Sequence, residues 1–176
     1  FILGILMCAR YAPILIFAFN RPERLSCLLS SLQGCPEFAT SPVRIFIDGP
    51  RSATDVPLVD QTYDVAQSAP VPDLQVVRND TNTGLKASVM RGVTAGLDLQ
   101  DRAIILEDDL VVSPQALTYF NAALEKYKDE DRVWSVSGYM YDVPALASRR
   151  TGPRAPSALS GIAQPSISLP FDPGPR

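Results

Sequence analysis

Residues 104–113 read IILEDDLVVS. An apolar run of strand character ends on three adjacent carboxylates, Glu107, Asp108 and Asp109. Like charges repel, and carboxylates at the end of a buried strand need a partner. The stretch therefore predicts a buried strand whose carboxyl end carries a charged site.

Working outward, the chain alternates short β-branched runs with longer helical stretches. PILIFAF (13–19) reads as a buried strand, closed by Asn20-Arg21-Pro22, with Pro22 in the first turn of a helix to about Leu32. VRIFID (43–48) is a second strand, stopped by Gly49-Pro50. A helix follows over about 55–68, and LQVVR (74–78) is a third strand. NDTNTG (79–84) is a polar loop. Leu85 to Leu97 reads as a helix with Val89, Val93 and Leu97 on one face. RAIILE (102–107) is the fourth strand. Ser113-Pro114 predicts the start of a helix to about Lys128. VWSVSGY (133–139) predicts a fifth strand, with Trp134 and Tyr139 as packing residues.

Strands alternating with helices predict an α/β domain with a mostly parallel sheet flanked by helices. Ligands of such sheets bind beyond the carboxyl ends of the strands. Asn20, Arg21, Asp48 and the 107–109 cluster all fall there. The remaining residues 145–176 carry six prolines, four arginines and one aspartate, without periodicity. Their net charge of +3 leaves -6 on residues 1–144 of a chain whose total is -3. The expected division is a domain over 12–144 and a Pro/Arg/Ser-rich tail over 145–176, disordered or translated out of frame.

Composition excludes several chemistries. The chain has no histidine, which removes the usual neutral-pH base and the His-paired nucleophiles. Its acidic balance argues against a nucleic-acid partner. Cys8, Cys27 and Cys35 match no metal spacing. Cys27 reads as a core helix residue and Cys35 as a loop residue, in a reduced compartment. The apolar start FILGILMCAR is too short to span a bilayer. It lacks a basic segment before it, so no transmembrane or signal segment is expected, and the location reads as cytoplasmic, with membrane association the alternative.

Clustered carboxylates at a strand end suit Mn²⁺ or Mg²⁺, which take oxygen ligands and complete their shell with substrate phosphates. FAFNRPERL, FIDGP, NTGLKASVMRGV, IILEDDLVVSPQALTYFNAALEKY and VWSVSGY, in that order, resemble the nucleotide-sugar half of a GT-A glycosyltransferase. The resemblance is to the N-acetylglucosaminyltransferase I type and to similar bacterial (family 2-like) sugar transferases, and it runs from about Pro13 to Tyr141.

The resemblance implies a Rossmann-like domain that binds a UDP-sugar and transfers the sugar to an acceptor hydroxyl on a glycan or similar molecule. It implies Asp109 as the metal ligand, Glu107 at the ribose, Asp108 at the donor sugar and Asp48 at the uracil ring. It places Asn20 and Arg21 near the nucleotide, and Lys86 near a basic position facing the donor. The acceptor-binding half and the catalytic base lie downstream in that family, so the chain reads as truncated before them; Asp142 is a carboxylate there with no assigned role. Three other readings stand beside this one. They are a non-catalytic remnant that binds nucleotide-sugar, a nucleotidyltransferase, and a receiver-like phosphoacceptor domain.

Overall fold

The computed structural model describes residues 11–138. Four strands alternate with four α-helices: β1 (Ile14–Ala18), α1 (Pro22–Leu32), β2 (Val43–Ile47), α2 (Val56–Gln67), β3 (Leu74–Arg78), α3 (Leu85–Leu97), β4 (Ile104–Glu107) and α4 (Ala116–Lys126). All strand pairings are parallel, in the spatial order β3-β2-β1-β4. The expected α/β class is therefore present, as a Rossmann-like parallel sheet flanked by helices.

β1 is central and buried along its whole length, which explains its unbroken apolar run. Successive side chains point to opposite faces of the sheet. Ile14, Ile16 and Ala18 join the larger core with Leu25, Leu28 and Leu32 of α1, Val59 and Ala66 of α2, and Ala116 and Leu117 of α4. Leu15 and Phe17 face the other way and pack with Val89 of α3, flanked by Phe46, Val93 and Ala103.

Glycines let α3 come close to this second face. A Cβ on Gly92 would lie 2.5 Å from the Phe17 ring, and one on Gly96 would lie 2.4 Å from Leu15 Cδ1. The buried side of α3 thus runs through Val89, Gly92, Val93 and Gly96, an i, i+3, i+4, i+7 stripe. The expected position of Leu97 on that stripe is corrected, since Leu97 is 45% exposed. The two glycines, which an apolar count overlooks, occupy the face instead.

Three further expectations are corrected. Ser113 and Pro114 do not open α4; Ser113 O accepts the Ala116 N–H at 3.0 Å in a turn, and Gln115 takes the N-cap position. Residues 133–137 form no strand. Turn hydrogen bonds from Glu130 N–H to Tyr127 O and from Val133 N–H to Glu130 O lead the chain out of α4. Trp134 is 68% exposed, with its indole N–H donating to Asp131 O. Cys27 is exposed on the outer side of α1, whereas Cys35 is buried and donates its thiol to Ser113 O at 3.3 Å. Cys8, Tyr139, Asp142 and the 145–176 tail lie outside the described residues.

Candidate functional site

The strand order places β2 on one side of β1 and β4 on the other. α1 leaves β1 on one face of the sheet, whereas α3 crosses on the other face to reach β4, and open parallel sheets form ligand crevices at the carboxyl ends where the winding reverses in this way. A cavity of about 300 Å³ opens there. Its walls include Phe17 of β1, Phe19 and Arg21 after it, Asp48 and Arg51 after β2, Asn82 to Leu85 in part, Ser88 of α3, and Glu107 and Asp108 at the end of β4.

Glu107 ends β4 and stands opposite Phe17 in the β1 pairing. The ladder continues one residue further, with Asp108 N–H donating to Phe17 O at 3.0 Å. That last ladder bond holds the Asp108 side chain inside the cleft, where it is only 1% exposed. Its Oδ2 accepts a long hydrogen bond of 3.4 Å from Phe19 N–H. Its Oδ1 lies 2.8 Å from Arg21 Nη2. The contact is an ion pair without hydrogen-bond alignment, so Oδ1 stays buried and lacks a hydrogen-bond donor.

Asp109 reaches the same guanidinium less closely, with Oδ2 3.5 Å from Arg21 Nη1. Asp109 Oδ1 is also buried with no hydrogen-bond partner. Burial pushes the Glu107 carboxyl above its ordinary pKa, and repulsion from Asp109 and Asp108 adds to the rise. Burial raises Asp108 as well; Arg21 is the largest opposing influence, followed by the Phe19 N–H. The cluster is thus short of positive charge.

Asp48 has a different environment. Its Oδ1 accepts from Gly49 N–H at 3.1 Å, Asn79 Nδ2 at 3.1 Å, Thr83 N–H at 3.0 Å and the Thr83 hydroxyl at 3.1 Å. Its Oδ2 accepts the Gly84 N–H at 2.9 Å. Burial alone would raise its pKa. The hydrogen bonds from Thr83, Asn79 and Gly84 outweigh burial and hold the carboxyl below its ordinary value.

This carboxylate sits at the N-terminus of α3, where the helix dipole favours a negative charge. The 79–84 loop also rests on Gly49, whose Cβ would meet the Thr81 backbone at 2.4 Å. Asn82 Nδ2 donates to Gly49 O at 3.0 Å. Gly84 takes φ +81°, a conformation that favours glycine. Asp48 therefore borders the cavity while its oxygens organise the loop that walls it.

Of the residues expected at the site, Arg21, Asp48, Glu107 and Asp108 line one cavity. Asp109 stands at its edge through the shared Arg21. Asn20 turns aside and donates to Asp55 Oδ1 at 2.8 Å. Lys86 is exposed on the first turn of α3 and does not line the cavity. Phe19 and Arg51 line the cavity as well, beyond the residues expected there. The Arg51 guanidinium lies 4.8 Å above the Phe19 ring and is held by Asp55 Oδ2 at 3.0 Å. The signal was the position of both just past strand ends, within FAFNR and after Asp48-Gly49-Pro50.

Among the described residues, no three His, Cys, Asp or Glu side chains form a ready-made metal cage. The acidic edge instead offers buried oxygens without a hydrogen-bond donor on Asp108 and Asp109, the former ion-paired with Arg21. Such an edge fits a hard cation held by one or two carboxylates together with ligand phosphates. Among the described residues no helix is long and apolar enough to cross a membrane. No family model matches the chain, and no curated protein matches it in sequence.

Proposed function

We propose that this chain is the donor-binding part of a sugar transferase, holding a UDP-sugar and a divalent cation for transfer of the sugar to an acceptor hydroxyl. The observation that carries the reading is the convergence of Arg21, Asp48, and Glu107 with Asp108 on one cavity at the carboxyl edge of the sheet. These groups come from three separate strand ends, and their blocks carry the GT-A resemblance.

Asp109, with Asp108 beside it, would hold Mn²⁺ or Mg²⁺ through the oxygens that lack hydrogen-bond donors. When bound, the cation supplies positive charge that offsets the negative charge on a departing diphosphate. Arg21 and Arg51 bring two further positive charges to the cavity wall. The Arg51 guanidinium, stacked over the Phe19 ring, offers a planar face suited to a nucleobase. Asp48 keeps the 79–84 loop and the start of α3 in place around that surface. Asn20 acts behind the wall, by orienting Asp55 and through it Arg51.

Thermal unfolding with UDP, with and without Mn²⁺, tests this reading. A ligand that binds only the folded state raises the midpoint by mass action. We expect a rise that requires UDP and Mn²⁺ together and disappears in Asp109→Asn. An equal rise in Asp109→Asn would refute the metal assignment. A midpoint that neither compound moves would refute donor binding by this chain.

A further inference from the structure

Arg21 is the cation that pairs with the acidic edge, through both Asp108 and Asp109. It begins α1 as the N-cap residue with no capping hydrogen bond from its side chain. The side chain reaches from the end of β1 to both Asp108 and Asp109 at the end of β4. Arg24 acts on Asp108 more weakly than Arg21 does. The Arg21 side chain is 50% exposed, whereas Asp108 is 1% exposed. One partner of the pair is thus fixed in the cleft, and the other has open space beside it. Neither contact has the aligned, two-pronged geometry that makes arginine–carboxylate pairs strong.

We infer that Arg21 is an exchangeable counter-ion, which neutralises the acidic edge in the metal-free protein and must swing away from Asp108 and Asp109 for a divalent cation to bind. This inference rests on the donor-site reading above. A buried carboxylate without a nearby positive charge is costly, so the resting protein keeps one on hand. The same guanidinium opposes a second cation by direct repulsion.

A diphosphate removes that conflict, because arginine forks onto phosphate oxygens as readily as onto carboxylates. Released from Asp108, Arg21 stays at the cavity wall, where such a group would sit. Cation and diphosphate then favour each other's binding, and this coupling is reciprocal. Arg21 is a positioning residue in this scheme, since it acts through the occupancy of the acidic edge.

The test is Mn²⁺ binding without nucleotide, followed by electron paramagnetic resonance of the free ion, for the wild type, Arg21→Met and Arg21→Met/Asp109→Asn. The expected result is tighter Mn²⁺ binding by Arg21→Met, by about tenfold, a factor equivalent to about 1.4 kcal/mol. The added Asp109→Asn change should abolish that gain. UDP should also strengthen Mn²⁺ binding less in Arg21→Met than in the wild type.

Unchanged or weaker Mn²⁺ binding in Arg21→Met, with the wild type binding Mn²⁺ and UDP together, would overturn the exchange while leaving the donor site standing. No Mn²⁺ binding by any form, with or without UDP, would overturn both. A Mg²⁺ titration of the wild type, followed through the Arg21 side-chain nitrogen resonances, covers the case in which Arg21→Met does not fold. Those resonances should move as Mg²⁺ and UDP saturate the site. Resonances that stay fixed at saturation would overturn the exchange.

Discussion

Asp48 and Gly84 are joined by a 2.9 Å hydrogen bond from the Gly84 N–H to Asp48 Oδ2, which ties the end of β2 to the start of α3. Thr83 and Asn79 add donors to the same carboxylate. Replacing Asp48 with alanine leaves these part-buried donors to water, at a cost of about 1 kcal/mol, the lower end of the range for a donor left without its partner. We expect Asp48→Ala to lose stability on that scale in urea unfolding. Amide exchange at Thr83 and Gly84 should accelerate more than exchange in β1. Unchanged protection at those two amides would show that the loop holds itself.

The charge on Asp48 also sets a pH dependence. An unfolded aspartate titrates near about 3.9. The hydrogen bonds hold the folded group below that value despite its burial. The carboxylate therefore contributes its stability in full above the unfolded pKa and loses it as pH falls through the folded one. The stability gap between wild type and Asp48→Asn should be wide at neutral pH and close in acid. A gap of constant size would mean that shape, and not charge, fixes the loop.

Gly96 tests the close packing of α3. Its Cβ would fall 2.4 Å from Leu15 Cδ1, and Leu15 is fully buried. Overpacking of a filled core costs about 1–3 kcal/mol. Gly96→Val should be destabilised on that scale, because the clash with Leu15 outweighs the roughly few tenths of a kcal/mol that valine gains over glycine in helix propensity. The pairing of Gly96→Ala with Leu15→Val should recover part of the loss. Additive losses in that double variant would argue against a direct clash.

Ile104 and Ile105 are neighbours in β4 with opposite surroundings, 3% and 49% exposed. Ile104→Ala should cost about 2–5 kcal/mol, the range for truncating a buried aliphatic side chain. Ile105→Ala should change stability much less, since it empties no filled space. Denaturant midpoints of the two variants give the comparison directly. Similar losses at both positions would place Ile105 in a packed interface.

The four strands and the parallel sheet were legible because each strand is a short apolar run bounded by turn chemistry. Pro22 marked the start of α1, and Gly49-Pro50 marked the end of β2. The meeting of Arg21, Asp48, Glu107 and Asp108 was legible for one topological reason, that all follow strands on the same edge. The partners of Asp48 were not legible. Nothing local tells whether a carboxylate at a strand end faces a ligand or collects backbone N–H groups from a loop thirty-five residues on. VWSVSGY (133–139) read as a strand from its β-branched and aromatic residues, yet such composition says nothing of whether a sheet edge lies within reach. The i+4 glycines of α3 were overlooked for a similar reason, since their role is the space they leave and not the surface they bury.

The pairing of β1 with β4 joins residues numbered ninety apart, Ile14 with Ile104. By contrast, β1 meets β2 across a connection one third as long, Ile14 with Val43. Contacts distant in sequence form late, because chain entropy must be given up before they return any energy. The three strands β1, β2 and β3 can therefore assemble ahead of β4. Glu107, Asp108 and Asp109 ride in on that strand, so their mutual repulsion is deferred to the closing step of folding. Arg21 is by then already in place at the head of α1 to receive them.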